Sequence, residues 1–181
     1  MKDELRYKFK IKRKYFQYAR REVADGAISD IVMQAFDKYK SFFVYYSYGS
    51  EADTHAIIAR LLAEGKEVYL PRVNGQVIEA VRFYGNEEEL IKSPLGIREP
   101  TGQAYEGEIE VALVPLLCVN PNGYRLGYGG GYYDRFLAAH PQTIKAGLGY
   151  YLQLTDENFQ EEHDVPLDLM VTERGIIDFG R

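Results

Sequence analysis

Residues Arg125 to Arg135 read RLGYGGGYYDR, and these types at this spacing could do chemistry on an anion. Four glycines (Gly127, Gly129, Gly130, Gly131) follow a cation and precede Tyr132, Tyr133, Asp134 and Arg135. Glycines at that density let a ligand approach main-chain N–H groups closely. In the residues that follow, Tyr133, Phe136 and Leu137 share one helical face, and His140-Pro141 marks a stop. Upstream, Val111–Val119 is an apolar β-type run. Strand, glycine loop and helix in that order aim loop N–H groups and a helix N-terminus at one point. No Lys-Ser or Lys-Thr follows the glycines as a Walker A loop requires, and Tyr132 sits where the dinucleotide fingerprint needs its last glycine. A tight turn with spare glycines is the plainer alternative. Arg125, Asp134 and Arg135 argue against it, because a turn has no need of them.

Other polar residues fall just after apolar runs. Tyr48, Glu51 and Asp53 follow one run, Pro71-Arg72 a second, and Tyr150, Tyr151 and Gln153 another. Glu51 and Asp53 fit either a ligand pocket or a helix cap, and Arg72 either a site or a solvated surface. His55 and His140 read as helix-surface residues, whereas His163 precedes Asp164 in EEHDVPLD, a loop carboxylate that could ligate a metal. No spacing matches a zinc site or a Ser/His/Asp triad. The chemistry available is that of carboxylates, arginines and backbone N–H groups, which suits a magnesium-supported phosphate ligand.

These residues need a scaffold, and the hydrophobic pattern outlines one. A basic N-terminal helix carries Leu5, Phe9 and Phe16, with Ile11, Tyr15 and Ala19 alongside, on an apolar face. Residues 27–39 form a second helix and 41–47 a strand. Ser50 to Asp53 resemble a capping box before a helix that stops at Gly65. A short strand at 67–70 closes at Pro71, and 76–84 is a more exposed strand. Residues 94–100 (PLGIREP) make a loop, and 144–149 a further strand. Strands alternating with helices indicate one α/β domain spanning residues 1–181 with a mostly parallel sheet, its ligands at the carboxyl ends of the strands.

Composition bounds the function. Residues 1–21 hold nine Lys/Arg against Asp3 and Glu4, so a segment of +7 sits on a body of −12 within a net charge of −5. Such a body repels nucleic acid, and the economical reading is an amphipathic helix docked on the domain with its cations turned to solvent or a phosphate. The single cysteine, Cys118, lies in an apolar run and reads as a buried thiol in a reducing compartment. No apolar stretch approaches the roughly 18 residues of a membrane span, and the N-terminus is too charged for a signal peptide. The expected location is cytoplasmic, with no nucleic-acid or membrane partner.

At this point the chain resembles the 5-formyltetrahydrofolate cyclo-ligase family (5,10-methenyltetrahydrofolate synthetases), nearly end to end. The opening K-x-x-L-R is Lys2, Leu5 and Arg6, with Arg13 further along the same helix. YYSYGSEADT resembles the first substrate loop, GKEVYLPRV the second strand and PLGIREP the G-I-x-E-P loop. VPLLCVNPNGYRLGYGGGYYDRFL covers the signature, and KAGLGYYLQ, HDVPLD and VTERG complete the match. One departure is Asn120, where the family usually has Asp; an amide keeps the acceptor and loses the charge.

The resemblance implies a three-layer α/β/α sandwich like that of the sugar-phosphate isomerase and CoA-transferase group. It also implies an ATP- and magnesium-dependent ring closure. ATP phosphorylates the N5-formyl oxygen of 5-formyltetrahydrofolate, N10 attacks the activated carbon, and phosphate leaves. Carried over by position, Lys2 and Arg6 reach the ATP phosphates, and Arg125 with Leu126, Gly127, Tyr128, Gly129, Gly130, Gly131, Tyr132 and Tyr133 wraps the triphosphate and the formyl group. Arg125 and Tyr132 are the expected catalytic residues. Asp134 and Asp164 hold magnesium. Tyr48, Glu51 and Asp53, with Tyr128 through Tyr132 of the loop, line the folate pocket, and Tyr128 or Tyr132 stacks on a ring. The implied partner is a folate, with or without a polyglutamate tail, and the enzyme is expected to be a monomer. A folate or nucleotide sensor without turnover, and a sugar-phosphate isomerase, are the alternatives; the first would be expected to have lost Arg125 or the glycines, the second leaves the Lys2/Arg6 helix unexplained.

Overall fold

Ser41-Phe42-Phe43-Val44 is buried on both faces, and that requirement organises the molecule. In the computed structural model, which describes residues 1–181, the basic helix is α1 (Lys2–Lys14), followed by α2 (Tyr18–Ala35) and strand β1 (Ser41–Val44). Helix α3 (His55–Ala63) leads to β2 (Glu67–Asn74), which turns into β3 (Val77–Phe83). Short strands β4 (Leu90–Lys92), β5 (Arg98–Pro100) and β6 (Ala104–Tyr105) precede β7 (Val111–Val114). A hairpin of β8 (Cys118–Val119) and β9 (Arg125–Leu126) carries the glycine loop into α4 (Tyr132–Ala139). Strands β10 (Ile144–Leu148), β11 (Leu169–Thr172) and β12 (Gly175–Asp178) end the chain.

Eight strands form one sheet in the order β12-β11-β10-β7-β1-β2-β3-β6. The five from β11 to β2 run parallel, and β12, β3 and β6 add antiparallel edges. Side chains alternate across the pleat. Phe42 and Val44 join Ile28 and Val32 of α2 and Ile57 and Leu61 of α3 on one face, whereas Phe43 joins Phe136 and Leu137 of α4 on the other. A third, smaller cluster docks α1, through Leu5 and Phe9, onto Leu117, Cys118, Leu126 and Phe159. This is the single-domain, mostly parallel α/β architecture expected.

Several boundaries differ from the expected ones, each for a local reason. Helix α2 starts nine residues before position 27, because its first half is charged and largely exposed and carries no apolar periodicity. On α1 the buried stripe is Leu5, Phe9 and Arg13, while Ile11 and Tyr15 are exposed. Strand β1 ends at Val44 because the Tyr45 carbonyl accepts the Thr54 hydroxyl, 2.6 Å, and the chain turns. Pro71 does not close β2. Beyond Tyr69 that strand pairs only with β3, so the missing proline N–H faces no ladder partner. The apolar run 111–119 breaks at Pro115 into β7 and β8, and residues 98–100 of the expected loop are strand β5.

Candidate active site

The carboxyl ends of β1, β2 and β7 open into a cleft of about 1220 Å³. The glycine loop forms one wall and α1 another, with the Tyr48–Glu51 turn and the Pro94–Ile97 turn completing it. Its lining carries six permanent cations (Lys2, Arg6, Lys10, Arg13, Lys14, Arg125) and five carboxylates (Glu51, Glu99, Asp134, Glu161, Asp164). Five of those cations come from one side of α1, with Lys2, Arg6, Lys10 and Lys14 each about one turn apart and Arg13 beside Lys14. An acidic protein thus presents a cationic stripe to its own cleft.

The loop is shaped by glycine where no other residue would do. Gly131, the residue before α4, has φ +69°, in the left-handed region. A Cβ on Gly127 would lie 2.8 Å from Nη1 of Arg125, so the bare backbone lets that guanidinium lie flat against the loop. Arg125 is buried, its side chain 4% exposed. Its Nη2 is 3.6 Å from Oδ2 of Asp134, an ion pair beyond hydrogen-bond reach, and its Nε has no partner. Burial pulls its pKa down while Asp134 pulls it up, and the Tyr133 ring centroid lies 5.3 Å from Cζ. A buried guanidinium N–H left unpaired costs about 1–3 kcal/mol, so Arg125 holds donor capacity in reserve beside the loop.

The structure brings most of the expected site residues together. Lys2 Nζ sits 3.1 Å from Asp164 and 3.2 Å from Glu161, and Arg6 Nε donates to the Gly127 carbonyl, 3.1 Å. Asp134 Oδ1 accepts the Val165 N–H, 3.1 Å, and Asp164 Oδ2 accepts the Glu161 N–H, 2.9 Å. Both carboxylates line the cleft. Glu51 is not a helix cap: its two oxygens accept the Tyr48 N–H, 2.8 Å, and the Tyr128 hydroxyl, 2.9 Å. Burial raises its pKa against the lowering effect of those bonds and of the Arg13 charge. Tyr132 contributes its ring to the wall, while its hydroxyl donates to the Gly75 carbonyl, 3.2 Å.

Asp53 stands apart from the other expected site residues. It lies outside the cleft, and its carboxylate accepts the N–H groups of His55 and Ala56, both 3.2 Å. It is the cap of α3, one of the two uses open to it; the cap does not begin at Ser50, which instead accepts Nε of Arg13. Asn120 is 1% exposed, with Oδ1 accepting N–H groups of Asn122 and Tyr124 and Nδ2 donating to Gln160, 2.8 Å. It uses both halves of the amide to shape the turn before β9 and takes no charged role. Lys10, Lys14, Glu99 and Glu161 also line the cleft. The cations among them follow from extending the Lys2/Arg6 spacing along α1, whereas Glu99 and Glu161 stand in segments already singled out, PLGIREP and EEHDVPLD, without having been read as site residues.

A cationic cleft, a glycine loop before a helix and a reserve arginine, all at the carboxyl edge of a parallel sheet, define an α/β protein with a cleft whose chemistry suits an anionic ligand. A family model described as the 5-formyltetrahydrofolate cyclo-ligase family matches residues 1–173. The 5-formyltetrahydrofolate cyclo-ligase of Escherichia coli (strain K12) is 34% identical over 137 residues, covering 71% of this chain and 75% of its own. That of Mycolicibacterium smegmatis is 36% identical over 145 residues, covering 74% of each. The NMR structure of Aquifex aeolicus 5,10-methenyltetrahydrofolate synthetase superposes with a TM-score of 0.86 at 30% identity, over 99% of this chain and 93% of that one. The chain belongs to the 5-formyltetrahydrofolate cyclo-ligase family.

Proposed function

We propose that the single cleft holds the ATP triphosphate and 5-formyltetrahydrofolate together, and that this chain closes the folate ring by activating its formyl oxygen. ATP-dependent conversion of 5-formyltetrahydrofolate to 5,10-methenyltetrahydrofolate is the activity of the family; the roles of the residues are our reading. The observation that carries it is Arg125, buried and short of partners, set against a glycine loop that faces the cations of α1 across the cleft.

Formamide oxygen is a poor leaving group, so it must take the γ-phosphoryl group before N10 can displace it. Lys2 and Arg6 would bind the triphosphate, the loop N–H groups would orient it, and Arg125 would neutralise charge that builds on the transferring group. Tyr132 would supply a ring wall, since its hydroxyl is already engaged. Glu51 would accept the pterin's N–H donors, with Tyr48 and Tyr128 as neighbours. N10 then bonds to the formyl carbon and gives up its proton, the carbon–oxygen bond breaks, and phosphate departs with the oxygen and can carry that proton away.

Asp134 and Asp164 fit a magnesium ion that arrives with the nucleotide. No cluster of three ligating side chains is present, and magnesium is usually bound by one or two carboxylates plus phosphate oxygens. When bound there it would neutralise triphosphate charge. Burial pushes the Cys118 thiol up to about 12, so it stays a neutral thiol outside the chemistry. Mixing protein, 5-formyltetrahydrofolate and MgATP should produce methenyl absorbance and ADP in equal amounts. Methenyl product without ATP, or ATP hydrolysis indifferent to the folate, would defeat the proposal.

A further inference from the structure

Arg13 is the one residue of α1 whose charge is fully buried: the residue is 4% exposed, at the inner end of the cationic stripe. Its guanidinium touches three separate segments. Nε donates to Ser50 Oγ, 2.9 Å; Nη1 donates to the Leu116 carbonyl just past β7, 3.1 Å; and Nη2 donates to the Tyr128 hydroxyl, 2.6 Å. The Tyr128 hydroxyl in turn donates a hydrogen bond to Oε1 of Glu51, 2.9 Å, while Oε2 accepts the Tyr48 N–H. One side chain therefore ties the helix of the phosphate cations, the glycine loop and the acid of the folate side into a single hydrogen-bonded chain.

We propose that Arg13 is a positioning residue which, through Tyr128, holds the Glu51 carboxylate ionised and in one orientation, and so couples α1 to the folate side of the cleft. The role of Glu51 toward folate rests on the function proposed above; the linkage itself does not. A fork that bonds three partners at fixed angles is a use that lysine cannot reproduce. Tyr128 is suited to the middle of the chain because its hydroxyl accepts from the cation and donates to the carboxylate. The groups that face Glu51 are Arg13 from α1, Tyr128 from the glycine loop, Tyr133 from α4 and Tyr45 after β1. Arg13 is the only cation among them, and the three tyrosines are all pushed upward by burial. With Arg13 removed, burial acts on Glu51 without a compensating charge, and its carboxyl must protonate at higher pH.

The test uses Arg13→Gln, Arg13→Lys and Tyr128→Phe in the full chain. Glu51 is titrated by carbon NMR of its carboxyl, assigned by comparison with Glu51→Gln, which requires no turnover. Its midpoint should move up in Arg13→Gln and by less in Arg13→Lys, because the Arg13 charge favours the ionised carboxylate. In turnover, Arg13→Gln should raise KM for 5-formyltetrahydrofolate about tenfold at neutral pH with a smaller change in kcat, and should shift the acid limb of kcat/KM upward. Arg13→Lys should restore the acid limb and only part of the KM, because it returns the charge and not the fork. If Arg13→Gln does not fold, Tyr128→Phe keeps the bonds from Arg13 to Ser50 and Leu116, and should still raise the folate KM. A Glu51 titration unmoved in every folded variant, or a folate KM within twofold of the parent in Tyr128→Phe, overturns the proposal. A parent protein that does not turn over 5-formyltetrahydrofolate refutes the function instead, and leaves the NMR titration to decide the linkage.

Discussion

Replacing Asp134 by Asn should destabilise the protein through Arg125. The substitution preserves size and the acceptor for the Val165 N–H, 3.1 Å, and removes the charge 3.6 Å from a guanidinium that is 4% exposed. At an effective dielectric of about 20, two unit charges at that distance attract by roughly 4–5 kcal/mol. Asp164 also favours the charged form of Arg125, so part of that field survives the substitution. Stranding one member of a buried pair commonly costs about 3–5 kcal/mol, and the remaining carboxylate reduces the expected loss here to about 2–3 kcal/mol. Arg125→Gln removes the stranded charge, so Asp134→Asn should cost far less in that background. Urea denaturation of parent, both single variants and the double variant closes the cycle. A coupling energy below about 0.5 kcal/mol would show that the two charges ignore each other and would refute the stranding cost assigned to Asp134→Asn. In MgATP-dependent turnover, Asp134→Asn should be impaired by orders of magnitude with partial rescue at high magnesium; parental activity across a magnesium titration would remove Asp134 from the metal site.

Three further outcomes follow from local geometry. Lys2→Ala with Arg6→Ala should weaken ATP binding by about 2–4 kcal/mol through lost charge-assisted hydrogen bonds, measured by calorimetry; ATP bound as tightly as by the parent would make the helix a surface feature. Asp53→Ala should cost about 1 kcal/mol of stability by uncapping α3 and leave the folate KM unchanged, and a raised KM would return Asp53 to the pocket. Asp25 accepts the Tyr150 hydroxyl, 2.7 Å, and the Asp53 N–H, 3.2 Å, and burial raises its pKa above 3.8. The native state then holds that proton more tightly than the unfolded chain, so the stability this group contributes is full below about pH 3.8 and is lost as pH rises through the raised value. Asp25→Asn should therefore gain stability over the parent at pH 7, with the gap closing on acidification. A gap equal at pH 7 and pH 3 would contradict the assigned cause.

Apolar patterning located the parallel core, because β1 and β7 are buried on both faces and read as apolar runs, with β10 legible beside them despite Lys145. It missed β11 and β12: Leu169–Thr172 is only four residues, and Gly175–Asp178 is an edge strand with every second residue exposed. The first half of α2 was invisible because its exposed charged turns bury little. The glycine loop and the Lys2/Arg6 spacing marked two walls of the cleft in advance. The third wall was harder to read. Glu51 and Asp53 stand two residues apart with the same chemistry, and only the path of the backbone out of β1 turns one into the cleft and the other onto α3. Arg13 shared a face with Leu5 and Phe9, but helical spacing alone cannot say that a cation on an apolar stripe will be buried and tied at three points.

The six buried residues that dock α1 are a separate and smaller cluster than the two that fill the sheet faces. Native-state opening follows such seams, and a peripheral unit detaches at a lower free energy than global unfolding. By that rule the helix that carries five of the cleft's cations is the element expected to open while the sheet stays intact. Cys118 lies in that seam, fully buried, and is the only thiol of the chain. Its rate of alkylation under native conditions is a clock for the undocking of α1. A nucleotide that bridges α1 and the glycine loop must slow that clock by the factor with which it favours the docked state, so one thiol records occupancy of the cleft without any turnover.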